Sequence, residues 1–182
     1  LNSRALEDIG ISSESPDPQG GVIIRDPSGY PTGLLLEMNA YVSERMPRVT
    51  EEVLANSINQ VSKQLLSWGI TSIQDATPHC GVEKWKTVSR LAKSGNLHQR
   101  LIFMPGIEHV EEFVSQGLYY KSGGHNIRIG PAKLMVTRTS GSISPSIDDI
   151  RELIHRAHIS GYPVAIHAVE EDVILSVGRI LR

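Results

Sequence analysis

Residues 50–76 read TEEVLANSINQVSKQLLSWGITSIQDA, and this stretch decides the fold class. Thr50 is placed to N-cap a helix, and Glu51 and Glu52 suit the positive end of the helix dipole. Leu54, Ile58, Val61, Leu65 and Trp68 recur at steps of three and four, which predicts one apolar stripe. Gly69 then stops the helix. Residues 70–76 follow as a short strand that ends in Asp75 and Ala76. A helix joined through one glycine to a buried strand is the repeating unit of an α/β protein.

The same unit recurs toward the C-terminus. A helix over 83–93 stops at Gly95, and a strand follows over 100–105. A short helix over 108–116 ends at Gly117, before a strand over 127–136. Ser146 opens the next helix with Asp149 three residues on, a capping-box spacing. That helix carries Ile147, Ile150, Ile154 and Ala157 on one face and ends at Gly161. A strand over 163–169 and a last helix over 172–182 complete the pattern. The strand centres fall near Ile73, Ile102, Lys133 and Ile166, at separations of 29, 31 and 33 residues. One βαβ unit takes about 30 residues, so the spacing predicts adjacent parallel strands with helices packed against them. Four such units are about half of a (β/α)8 barrel of roughly 250 residues. A small open sheet and a slice of a barrel both satisfy this pattern. No Gly-rich phosphate loop follows any strand.

Toward the N-terminus the style changes. Residues 10–21 hold Gly10, Pro16, Pro18, Gly20 and Gly21 and read as a loop. The apolar runs 21–25 and 33–37 bracket Asp26-Pro27-Ser28-Gly29-Tyr30-Pro31-Thr32 and read as a β-hairpin. The chain therefore divides into a loop and hairpin region over 1–49 and an α/β region over 50–182.

The 182 residues are 40 % hydrophobic and 21 % charged, which excludes a disordered or fibrous chain. A formal charge of −2 argues against a nucleic-acid binder that neutralises phosphates. One cysteine excludes a disulfide framework and fits a reducing, cytoplasmic setting. No apolar run approaches the ~20 residues that span a bilayer, so no membrane partner is expected. The first six residues form an amphipathic element rather than a signal peptide, and the last helix has no terminator. We therefore expect a segment of a longer protein. A small-molecule substrate is the expected partner, and homo-oligomerisation is left open.

In α/β folds chemistry gathers at the carboxyl ends of parallel strands. Asp75 ends the first strand, where it either caps the following turn or faces a ligand. Lys133 sits between apolar neighbours in the third strand, costly to bury unless paired or modified. His167 stands in the apolar run Val164-Ala165-Ile166-His167-Ala168, with Glu170, Glu171 and Asp172 just beyond. His155 and His158, three apart on a helix, lie off its apolar face and are not expected to bind metal. Cys80 beside His79 forms a conceivable nucleophile pair, although adjacent residues rarely orient productively. His79, His98, His109 and His125 otherwise receive no role. Ser140-Gly141-Ser142 lacks the glycine pattern of a nucleophile elbow.

Several ordered pieces together resemble one family. They are Leu1-Asn2-Ser3-Arg4-Ala5-Leu6, Pro16-Asp17-Pro18-Gln19-Gly20-Gly21, the stretch from Arg25 to Leu35, Gly69-Ile70-Thr71-Ser72-Ile73-Gln74-Asp75-Ala76, and Val164-Ala165-Ile166-His167-Ala168. The whole resembles the amidohydrolase family 3 group of metal-dependent hydrolases. The resemblance implies a (β/α)8 TIM-type barrel, of which this chain holds about strands 2 to 5 with their helices, plus the N-terminal β-hairpin insertion. It implies a divalent metal such as zinc, a strand-4 Lys open to carboxylation at Lys133, and a strand-5 His at His167. It implies hydrolysis of a non-peptide C–N bond by a metal-activated water, with Asp75 and Glu170 beside the substrate. The general-base Asp and further ligands are expected beyond Arg182, so the segment alone is expected to be inactive. Thr137-Arg138 after the Lys strand and Glu170-Glu171 after the His strand depart from the family's usual pattern. A non-catalytic scaffold of this fold and a small-ligand-binding α/β domain are the alternatives.

Overall fold

The computed structural model describes residues 1–181 except Gln19, Arg48, His125, Ser140 and Gly141. The expectations on His125 and on Ser140-Gly141 therefore lie outside the described residues. The chain forms two compact units, residues 1–50 and 51–182.

In the first unit, helix α1 (Ser3–Asp8) is capped by Asn2, whose Oδ1 accepts the Ala5 N–H at 2.9 Å. Strands β1 (Val22–Arg25) and β2 (Pro31–Leu36) pair antiparallel, with Val22 opposite Leu36 and Arg25 opposite Pro31. The turn between them is built by Asp26, whose Oδ1 accepts the Ser28 and Tyr30 N–H groups, both at 2.9 Å. Leu6, Ile9, Ile11, Ile23 and Met38 make a small separate core. Helix α2 (Asn39–Arg45) was not expected. Its sequence has only Tyr41 and Val42 packed against that core, too short an apolar pattern to read as a helix.

The second unit opens with α3 (Glu51–Ser67), followed by β3 (Ser72–Asp75), α4 (Val82–Lys93) and β4 (Arg100–Phe103). A 3-10 turn (Ile107–His109) leads into α5 (Val110–Ser115). Strands β5 (Ile127–Ile129) and β6 (Ala132–Met135) follow, then β7 (Thr137–Thr139) and β8 (Ser142–Ser144). Helix α6 (Ile147–Ile159), β9 (Val164–His167) and α7 (Glu171–Ile180) complete the unit. Gly69, Gly95, Gly117 and Gly161 all adopt φ between 70° and 79° after helices, as the spacing predicts. At Gly69 the Ile70 N–H returns to the Leu65 carbonyl at 2.9 Å, satisfying an orphaned helix-end acceptor.

Strands β3, β4 and β5 run parallel, with Ser72 opposite Arg100 and Leu101 opposite Ile127. Strands β6 and β9 also run parallel, with Ala132 opposite Val164. The third expected strand is thus two strands, and the break carries a meaning. Phe103 opposes Ile129, whereas Gly106 opposes Lys133, so three steps on one side match four on the other. The extra residue lies at Gly130-Pro131 and makes a β-bulge. Gly130 donates its N–H to the Phe103 carbonyl at 2.7 Å, and a Cβ there would meet Ile102 Cγ2 at 2.6 Å. Lys133 then donates its N–H to the Pro105 carbonyl at 2.7 Å, so β6 continues alongside the chain that leaves β4.

One face of these strands packs on the helices. Leu101, Phe103, Ile127, Ile129, Ala132 and Leu134 all belong to a core that also holds Trp85, Phe113, Ile150 and Val173. Trp85 meets Phe103 edge-on at 5.6 Å between ring centroids. The other face, with Ser72, Arg100, Ile102, Asn126 and Arg128, lines a cavity of about 710 Å³ and is open within this chain.

Helix α3 corrects one expectation. Val61 and Trp68 are exposed, and the packed face instead carries half-buried Leu54, Ile58 and Leu65 with fully buried Ser62. The stripe is turned because Ser62 has a polar partner underneath. Its Oγ donates to Gln99 Oε1 at 2.6 Å and accepts the His98 N–H at 2.9 Å. The antiparallel pair β7–β8 was also unexpected, since a Thr, Ser and Arg sequence gives no apolar alternation to read.

Candidate functional site

The bulge at Gly130-Pro131 decides where Lys133 points. A one-residue slip moves every side chain of a strand to the other face. Without the extra residue, Lys133 would continue the parity of Ile129 toward the helices. With it, Ala132 and Leu134 take the helix side, 0 % and 3 % exposed, and Lys133 and Met135 share the open face. Lys133 stands opposite Ala165 and Met135 opposite His167, so Lys133 and His167 lie on the same face of adjacent strands. They are not level. His167 sits one residue pair further along, about 7 Å in the strand direction and about 4.8 Å across. The long Lys133 side chain is the one suited to close that offset.

His167 is the last residue of β9 and is exposed, and its carbonyl accepts the Val136 N–H at 2.9 Å. Glu170 occupies the N-cap position of α7 without a side-chain cap bond, and is half-buried. Glu171 and Asp172 stand in the first turn, where the helix dipole favours them. Asp172 forms an ion pair with Arg138. One salt bridge thus links β7 to the start of α7, beside Glu170 and Glu171.

Asp75 has a local partner. Its Oδ1 accepts the Thr77 N–H at 3.0 Å, the turn-capping role that the sequence left open beside ligand binding. Its parity follows Ile73 and Phe103, on the helix side of the sheet. Asp75 thus stands apart from the face that Lys133 and His167 share.

Cys80 is buried, at 2 % exposure, and burial pushes its thiol above the ordinary value, with Lys84 opposing in part. A buried, protonated thiol is a poor nucleophile, which removes the Cys80–His79 pairing as a reactive dyad. His79 does have a partner, but it is Glu108, from the loop after β4. No sequence signal joins residues 29 positions apart on two different loops. Among the described residues, no three His, Cys, Asp or Glu side chains converge in a way that could hold a metal ion. No described helix is long and apolar enough to cross a membrane.

Comparison with known proteins follows the same lines. A sequence model described as "Amidohydrolase family" matches residues 1–181. A Bacillus subtilis protein described as "Putative amidohydrolase YtcJ" is 27 % identical over 191 residues, covering 93 % of this chain and 36 % of that protein. The N-substituted formamide deformylase of Arthrobacter pascens is 38 % identical over 85 residues, covering 41 % of this chain and 15 % of its own length. The fold matches a solved metal-dependent hydrolase of uncharacterised function from Pyrococcus horikoshii OT3 with a TM-score of 0.67 at 18 % identity. That match covers 99 % of this chain and 39 % of the other. The chain thus spans little more than a third of the relatives it matches along its whole length.

Proposed function

Given that the chain belongs to the amidohydrolase family, we propose that it supplies the middle strands of a (β/α)8 barrel whose full-length protein hydrolyses a non-peptide C–N bond. The observation that carries this reading is the placement of Lys133 and His167 on one open face, near the carboxyl ends of adjacent parallel strands. The four parallel positions, β3, β4, β5 with β6, and β9, correspond to strands 2 to 5 of such a barrel. Similarity to a deformylase of N-substituted formamides and to an amidohydrolase supports an amide-type substrate.

The donor types fit a divalent ion such as zinc in part. Neutral imidazole at His167 is a ready ligand, and a carbamate on Lys133 Nζ would convert an amine into an oxygen donor. Among the described residues the open face offers these two and no third, so the remaining ligands and the general base belong, on this reading, to residues outside 1–182. When bound, such an ion lowers the pKa of a water and polarises a carbonyl. The chain's own residues do the rest. The bulge aims Lys133, the β9 register fixes His167, and Glu170 at the α7 N-cap borders the substrate side. Burial of Ala132 and Leu134 anchors the stretch of backbone that carries Lys133.

Lys133→Ala and His167→Ala in the full-length protein test this directly. Each is expected to lower bound metal, measured by elemental analysis, at least tenfold and to lower amide hydrolysis with it. Wild-type metal content in both variants would refute the assignment. A wild-type protein that binds no metal would point instead to a non-catalytic scaffold.

A further inference from the structure

The open face of the sheet carries a charge pattern that the metal site does not explain. Strands β4 and β5 alternate cleanly, with Leu101, Phe103, Ile127 and Ile129 buried and Arg100, Ile102 and Arg128 exposed. Arg128 stands opposite Ile102 and Arg100 opposite Ser72, so the two arginines occupy neighbouring strands two residues apart in level. Both line the cavity of about 710 Å³. Lys133, opposite Gly106, lies on the same face roughly 13 Å further toward the carboxyl ends.

No carboxylate of this sheet answers them. Strands β4, β5, β6 and β9 contain no Asp or Glu, and Asp75, the acid of β3, takes the helix side. Arg90, Arg138, Arg151 and Arg156 each pair with an acid elsewhere in this unit. Among the described residues, the Arg100 and Arg128 guanidinium groups have no ion-pair or hydrogen-bond partner. The charged residues that the strands present to this face are therefore all cationic, on a chain whose formal charge is −2.

The interior of an eight-stranded barrel is filled by side chains rather than water. On the barrel reading above, this face looks into that interior. The relatives matched along the whole chain have most of their length outside the match, which is chain enough to cover it. A guanidinium does not lose its proton in a protein, so it cannot escape burial by becoming neutral. Burying it alone carries the full desolvation penalty, and a hydrogen-bonded carboxylate is the group that offsets it. Arg128 is the inner of the two, level with Ile102 in mid-strand, whereas Arg100 opens β4 at the rim.

We propose that strands of the same polypeptide outside residues 1–182 cover this face and present a carboxylate to Arg128 and Arg100, closing the amino-terminal floor of the barrel with a buried ion pair. This inference rests on the barrel part of the proposed function and on neither its metal nor its substrate.

The test uses the full-length protein and the arginine reagent phenylglyoxal, read by peptide mass spectrometry with and without added phosphate. Arg128 is expected to react at least about tenfold more slowly than Arg151, whose side chain is 61 % exposed on α6, in both buffers. Equal reactivity overturns the proposal. Protection that needs added phosphate also overturns it, because a small anion would then be the occupant. Arg128→Gln supplies the second measurement. It leaves the partner carboxylate buried and alone, which raises its pKa above the unfolded value. Such a group takes up a proton on folding, so the variant regains stability relative to wild type as pH falls. Its melting temperature is expected to lie about 5 °C below wild type at pH 8 and to close at least half of that gap by pH 5.5. Comparing the two proteins at each pH removes every titration they share. A gap that is absent, or equal at both pH values, shows that no carboxylate faces Arg128 and overturns the proposal. Should Arg128→Gln not fold, Arg128→Lys is expected to fold because it keeps the charge, and its failure as well would overturn the proposal. A full-length protein that binds no metal sinks the hydrolase reading and leaves these outcomes unchanged, whereas freely labelled arginines in a metal-loaded protein sink this inference alone.

Discussion

Ser62 and Gln99 offer the sharpest test of how the sheet is tied to its helices. Both are buried, at 1 % and 0 % exposure. Gln99 Nε2 donates to the Ser62 carbonyl at 2.9 Å and to the Ile70 carbonyl at 3.2 Å. Its Oε1 accepts from Ser62 Oγ at 2.6 Å, and that Oγ in turn accepts the His98 N–H at 2.9 Å. Gln99→Leu removes three hydrogen bonds at about 1 kcal/mol each and leaves the Ile70 carbonyl without its amide donor, for a net loss of about 3 kcal/mol. Ser62→Ala removes two bonds and orphans both Gln99 Oε1 and the His98 N–H, about 2–3 kcal/mol. The bond between the two side chains is counted in both singles, so the double variant should cost about 1–2 kcal/mol less than their sum. Calorimetric unfolding of the four full-length proteins closes this cycle. Additivity within about 0.5 kcal/mol would show that the two side chains are not partners and that the orientation of α3 is set by other contacts.

Three further outcomes follow, one from the bulge and two from the buried thiol. Deleting Pro131 removes the extra residue and turns Lys133 toward the helix side, where Ala132 and Leu134 now sit at 0 % and 3 % exposure. Elemental analysis should find bound metal lost in that deletion and kept in Pro131→Ala, and metal retained in the deletion would mean the bulge does not aim Lys133. Cys80, raised from 9.0 by burial, should react with Ellman's reagent at least about a hundredfold more slowly in the native protein at pH 8 than in denaturant. Its folded-state value lies above its unfolded one, so the protonated thiol contributes stability that is fully present below about pH 9 and is lost as pH rises through the folded value. The melting temperature of the wild type should therefore fall more steeply above pH 9 than that of Cys80→Ala, and parallel curves would contradict the assignment.

What the sequence made legible was local. Gly69, Gly95, Gly117 and Gly161 end helices by a backbone requirement that each meets within its own few residues, so the helix–strand alternation can be read from one chain. Lys133 and His167 stand out because a charged or titratable side chain inside a short apolar run is costly to leave without a function. The misreadings arise where a distant partner decides. Ser62 turns the face of α3 because Gln99 lies 37 residues away, and an apolar stripe that includes Val61 and Trp68 is the better fit to local periodicity. His79 and Glu108 come from two different loops, and nothing in either loop alone announces the other.

The third strand shows how a correct site residue can follow from an incomplete strand. Read as one strand over 127–136, strict alternation gives Ile127, Ile129, Pro131, Lys133 and Met135 one face and Arg128, Gly130, Ala132 and Leu134 the other. Such a strand sets Ile127 and Ile129, both core residues, on the same face as Lys133, and it sets Arg128 beside Leu134. No single sheet with one buried side satisfies that pattern, since each face would carry both a core residue and a charge. The contradiction is itself the signal for a parity change between Ile129 and Ala132. Gly130-Pro131 is the only pair in the run able to supply it, one residue without a Cβ to clash with Ile102 and one without an N–H to pair. A charged residue on each half of an otherwise apolar strand, separated by Gly-Pro, therefore encodes both the bulge and the side of the sheet on which Lys133 meets His167.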